Sequence, residues 1–223
     1  MVIDDLPEAR TGASFSMNLS ATSLREKILQ SISNTAKPFV TAINTHKKTD
    51  WNEDGLTQIF IAQNTVQLQK LSAPLMVGAQ YRDLYHKSKG IPDIYYSLLE
   101  EGKDHEPAFL MEAKRLPTPT TARKKEYVIG LTPSGNPNGG IERFKLGKHG
   151  VGQTRCGMLA FVESEEYQDW LGKVNSWIIE LFPIWSSDEL LVLQETSSNY
   201  NHYKSIADRG TSKVQLDHFW IKI

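Results

Sequence analysis

Asp93, Glu112 and Lys114 are the residues of this 223-residue chain whose types and spacing best suit chemistry. Glu112 and Lys114 lie in the run 108–116 (AFLMEAKRL), and Asp93 opens the run 93–99 (DIYYSLL). Side chains alternate faces along a strand, so Glu112, Lys114 and Leu110 share one face while Phe109, Met111 and Ala113 share the other. An ionised glutamate two positions from a lysine, late in an apolar strand, is costly to bury without a purpose or a partner. The segment between the runs, 101–107, reads as a turn, so the two runs form a β-hairpin that brings Asp93 near Glu112 and Lys114. Neighbouring carboxylates repel unless a cation neutralises them. Such oxygen ligands suit Mg2+ or Mn2+, and a metal of this kind binds a phosphate oxygen and acidifies a water. Lys114 would orient that water and stabilise charge on the phosphorus. These parts suffice for phosphodiester hydrolysis. The plainer reading is a salt bridge from Lys114 to Glu112 or Asp93 that staples the hairpin, and a bare Asp…Glu-x-Lys pattern does not separate the two.

The flanking residues do more. Pro92-Asp93, then Glu112-Ala113-Lys114 after 19 positions, each preceded by apolar residues, resemble the two motif elements of the PD-(D/E)XK nuclease superfamily. The resemblance spans roughly 51–182. It implies a restriction-endonuclease-like fold with the metal on Asp93, Glu112 and the carbonyl of Ala113, and with Lys114 positioning the water. It implies a further acid from the first core helix, for which Glu53 stands in place. Asp54 is its closest competitor, and a helix-capping role beside Asp50 is the plain alternative for Glu53. It also implies basic or Gln residues facing the phosphate after the second motif strand: Arg143, Lys145, His149 and Gln153, which otherwise read as an exposed basic helix. His149 is alternatively a general acid. DNA cleavage in restriction or phage defence, by a homodimer, is what the resemblance suggests.

Around these residues the pattern predicts a mixed α/β protein, a central β-sheet flanked by helices. Ser23 with Glu26 reads as a capping box opening a helix that stops before Pro38. A second helix is expected over about 51–71. Strands are expected at 75–85, 93–99, 108–116, 157–162, 190–193 and 214–223. The segment 117–140 reads as a long loop holding a short strand at 127–131. Ser164 is the expected cap of an amphipathic helix in which Tyr167, Trp170, Leu171, Val174, Trp177, Ile178, Leu181 and Phe182 follow helical spacing. His202 and His218 are expected at strand ends. Residues 1–22 read as a loose tail and 23–223 as one domain.

Composition bounds the rest. Apolar residues make up 39% and charged residues 23%, which excludes wholesale disorder. No apolar run reaches membrane-spanning length, and the acidic start of the chain does not read as a secretory signal. The single cysteine, Cys156, precludes an internal disulfide and suggests a buried thiol in a cytoplasmic protein. No glycine-rich phosphate loop, G-x-S-x-G element or histidine pair with metal spacing is present. The net charge of −1 conceals an asymmetry: 114–155 holds nine Lys/Arg and two acids, hence +7, leaving −8 elsewhere. That basic segment, with Arg123, Lys124 and Lys125, suggests a polyanion partner, double-stranded DNA in the enzymatic reading. The alternative is a non-catalytic nucleic-acid-binding or protein-assembly module on the same fold.

Overall fold

The computed structural model describes residues 20–45, 51–102, 104 and 106–223. A seven-stranded mixed sheet carries helices on both faces. Strands β1 (Leu75–Ala79), β2 (Ile94–Leu98) and β3 (Pro107–Leu116) form an antiparallel meander. Strand β4 (Arg155–Val162) returns parallel to β3, and β7 (Lys213–Lys222) lies parallel to β4. Strands β6 (Tyr200–Asp208) and β5 (Val192–Thr196) close the antiparallel end, giving the order β1-β2-β3-β4-β7-β6-β5.

Helices α1 (Ala21–Thr45) and α2 (Glu53–Lys70) pack on the face that carries Phe109, Met111, Ala113 and Phe161. Helices α3 (Gly140–Lys145) and α4 (Tyr167–Ile179) pack on the face of Leu110, Leu116, Met158 and Trp220. The alternation along β3 therefore sorts its residues between two apolar layers, with Glu112 and Lys114 placed among the second.

Several local expectations are corrected. Helix α1 begins before Ser23: the Ser20 hydroxyl accepts from the Ser23 N–H at 3.1 Å, so Ser20 caps the helix and residues 20–22 are not tail. It also runs through Pro38. An interior proline costs about 3 kcal/mol, whereas burying Phe39 and Ile43, in line with Leu24, Ile28 and Ile32, returns about 1.5–3 kcal/mol each. The cap of α2 is Asn52, whose side chain accepts from Gly55 N–H at 2.8 Å; Asp50 and residues 1–19 lie outside the described residues. Glu166, not Ser164, caps α4, which ends at Ile179 and leaves Phe182 40% exposed. The expected strand at 127–131 is reduced to a single antiparallel bridge, Leu131 with Pro137, after a turn that follows a 3-10 segment at Thr121–Arg123. Its buried Tyr127 is held by the sheet, accepting from Trp220 Nε1 at 2.9 Å and pairing with His218 Nδ1 at 2.8 Å. Finally, His202 and His218 sit within β6 and β7, not at strand ends.

No described helix is long and apolar enough to cross a membrane.

Candidate functional site

Register brings the two carboxylates together. Ile94 pairs with Met111 across β2 and β3, which sets Asp93, one residue earlier, opposite Glu112. Asp93 Oδ2 then accepts from the Ala113 N–H at 2.8 Å, extending the ladder by one side-chain bond. Lys114 follows on the face of Glu112.

The Lys114 ammonium is 2.9 Å from Glu112 Oε1 and 3.0 Å from Glu53 Oε1, and it donates to the Ala113 carbonyl at 2.7 Å. All three of its N–H donors are thereby engaged. Glu53 reaches the site because Asn52 caps α2 and leaves Glu53 as the first helical residue. Its second oxygen accepts from the Arg115 N–H at 3.2 Å. Asp54 is exposed and stays outside the cluster.

From the other side α3 delivers Arg143, whose guanidinium contacts Glu112 Oε1 and the Asn138 side-chain carbonyl. The position of α3 is fixed by Glu142, which accepts from Gly139 N–H at 3.1 Å and Gly130 N–H at 3.3 Å. A side chain at Gly139 would place its Cβ 2.2 Å from the Ile129 Cα, so this crossing requires glycine. His149 is 1% exposed, with Nε2 3.6 Å from Glu112 Oε2.

The electrostatics follow from burial. Glu112 is fully buried, and its Oε2 has no hydrogen-bond partner among the described residues. Burial first, and the Glu112 charge second, push the Asp93 carboxyl up to about 7. Burial also raises Glu53, against the pull of Lys114. The acids around Lys114 raise its ammonium above the usual lysine range although burial opposes this. Burial and the cations Arg143, Lys114 and Lys148 hold His149 down at about 3, so its imidazole is neutral.

Three acids therefore converge on one buried ammonium and one guanidinium. An orphaned carboxylate oxygen beside a carboxyl driven to about 7 fits a divalent cation, whose charge would relieve both. Asp93 and Glu112 would be its two side-chain ligands, with backbone and water left to complete an oxygen shell. No group of three or more His, Cys, Asp or Glu among the described residues is arranged to hold a metal ion.

The other sequence candidates divide. Arg143 and His149 join the site. Lys145 turns away to Glu189, at 2.6 Å, and Gln153 donates to the Pro107 carbonyl at 2.9 Å. Arg123 pairs with Glu126 and Lys125 with Glu180, while Lys124 is exposed without an acidic partner among the described residues. Most of the +7 segment is thus neutralised at home, since Arg115 and Arg155 also pair with Glu163 and Asp217. Asn138, which orients Arg143, carries no signature in the sequence pattern. Cys156 is buried, and burial pushes its thiol up to about 12, as expected of an inert core cysteine.

Comparison with family models, with curated proteins and with solved structures gives no match to this chain.

Proposed function

We propose that this chain is a metal-dependent endonuclease, with a restriction-endonuclease-like core and Mg2+ or Mn2+ as cofactor, that hydrolyses phosphodiester bonds in DNA. The observation that carries the reading is the pairing of half-buried Asp93 with fully buried Glu112 across a strand register, with Lys114 on the face of Glu112 and one Glu112 oxygen left without a hydrogen-bond partner among the described residues. The meander of β1 to β3, the return through α3 to a parallel β4, and the acid from the start of α2 agree with the element order of that superfamily.

Asp93, Glu112 and the second lone pair of the Ala113 carbonyl, whose first accepts from Lys114, would hold the cation. When bound, it supplies Lewis acidity to a phosphate oxygen and lowers the pKa of a water. Lys114, oriented by Glu53, presents a fixed positive charge where negative charge grows on the phosphorus-bound oxygens. Arg143, braced by Asn138, adds a second cation from the opposite side. The buried neutral His149 closes the wall on the Oε2 side of Glu112. Homodimerisation and a place in restriction or phage defence belong to the same reading.

A second reading, a non-catalytic binding or assembly module, has one observation in its favour: Lys114 and Arg143 already compensate the Glu112 charge. The two readings part in one assay. Circular DNA, offered both as supercoiled plasmid and as single strand with Mg2+ or Mn2+, should be cut in at least one form by the native chain and left intact by Glu112→Ala and Lys114→Ala. Cleavage that survives either substitution, or none by the native chain, counts against the enzyme.

A further inference from the structure

A cavity of about 460 Å3 opens beside the site, between the 121–131 turn and the start of α3. Its volume lies within the roughly 300–1,000 Å3 of small-ligand pockets. Two connections tie it to the metal centre. Asn138 in its wall binds Arg143, which binds Glu112. Arg123 and Glu126, also in the wall, interact electrostatically with Glu53.

The lining has two characters. Ala122, Ile129 and Leu131 give apolar surface, and Leu131 is 70% exposed at the edge. Lys124 gives positive charge that no acid among the described residues answers, unlike Arg123 and Lys125 on either side. A second cavity of about 510 Å3 shares Thr121 and Lys124 and is walled by Pro117, Trp170 and Trp177. Apolar walls, an aromatic platform and an uncommitted cation are the elements with which proteins hold unpaired bases and the phosphates between them.

We propose that the 460 Å3 cavity receives one unstacked nucleotide next to the scissile phosphate, with its base on Ala122, Ile129 and Leu131 and its phosphate toward Lys124. This rests on the nuclease reading and narrows it. A base in intact duplex enters such a cavity only by being extruded from the stack, which costs unpairing and unstacking, whereas a base already single-stranded enters without that cost. The preferred substrate is therefore nucleic acid that is single-stranded at the cut, ahead of the continuous duplex that the motif resemblance suggests.

The test separates binding from chemistry. Anisotropy in EDTA compares a labelled single-stranded DNA with a blunt duplex of the same sequence, for the native chain, Ala122→Trp and Lys124→Glu. Both positions are exposed, so the fold tolerates the changes; should the bulky tryptophan disturb the turn, Lys124→Glu alone decides. The single strand should bind at least about tenfold tighter than the duplex, and each variant should lose about tenfold or more of that affinity, Ala122→Trp by filling the cavity and Lys124→Glu by removing a phosphate contact. Equal or tighter duplex binding, or single-strand affinity untouched by Lys124→Glu, overturns the proposal. Hydrolysis of bis(p-nitrophenyl) phosphate by the native chain with Mn2+ addresses the chemistry separately. Cavity-dependent binding without that hydrolysis upholds the subsite and removes the nuclease reading; hydrolysis with cavity-independent binding does the reverse.

Discussion

Replacing Lys114 with methionine should be among the most destabilising substitutions in the chain. Lys114 is 3% exposed, and its ammonium meets Glu112, Glu53 and the Ala113 carbonyl within 3.0 Å. Methionine has a similar length and volume, so repacking contributes little. What is lost is one of the two cations that compensate a fully buried Glu112. Breaking a buried ion pair from one side costs about 3–5 kcal/mol, against a total stability of about 5–15 kcal/mol for a typical domain. The loss should vary with pH. Asp93 already stands at about 7 because of burial and Glu112, and Lys114 is the foremost charge that lowers it. Without Lys114 the Asp93 carboxyl takes up a proton more readily and relieves part of the repulsion in weak acid. Urea unfolding of native and Lys114→Met protein should show a loss near the lower end of that range at pH 6 and near the upper end at pH 8. A loss below about 1 kcal/mol at both pH values would refute the account of a charge-compensated buried centre.

Three further outcomes follow from the same structure. Asp93 keeps its proton in the folded chain up to about pH 7, whereas the unfolded chain releases it near 3.9; stability therefore falls as pH rises between these values. Asp93→Asn should abolish that fall, gaining about 2–4 kcal/mol on the native chain between pH 4 and 8, and parallel urea profiles would contradict it. Pro38→Ala should raise the unfolding free energy by about 1–3 kcal/mol, because alanine restores an interior helix N–H where α1 already continues; calorimetry showing no gain would deny the cost assigned to the proline. Tyr127→Phe should cost about 2–4 kcal/mol in chemical denaturation, since it strands the buried Trp220 N–H and His218 Nδ1, and a neutral result would mean that other groups satisfy both.

The part of the fold that builds the site was legible because it is local. Alternation in 108–116 and the turn at 101–107 specify the hairpin, and its register follows once Leu110 and Met111 face opposite apolar layers. The acid at the start of α2 was legible as a position, though its partner was not. What escaped is what depends on contacts distant in sequence. Seven of the nine cations in 114–155 close on carboxylates, most of them far along the chain, as Arg143 does with Glu112, Lys145 with Glu189 and Arg155 with Asp217. A run of positive charge thus overstates the free charge of the surface. Strand β6 escaped because its buried positions include Asn201 and Ser205, whose polarity masks the two-residue period; Ser205 is satisfied by His218 Nε2 at 2.9 Å. Helix α1 outran Pro38 because the cost of a single residue was outweighed by the tertiary burial of Phe39 and Ile43.

The central claim is that Asp93 and Glu112 converge to hold a divalent cation. Titration of Mn2+ into the native chain, followed by electron paramagnetic resonance of the free ion, tests it most directly. The account predicts one site per chain that disappears in Glu112→Ala and weakens by about tenfold or more in Asp93→Asn. A native chain that leaves millimolar Mn2+ free, or a bound ion indifferent to both substitutions, would contradict it.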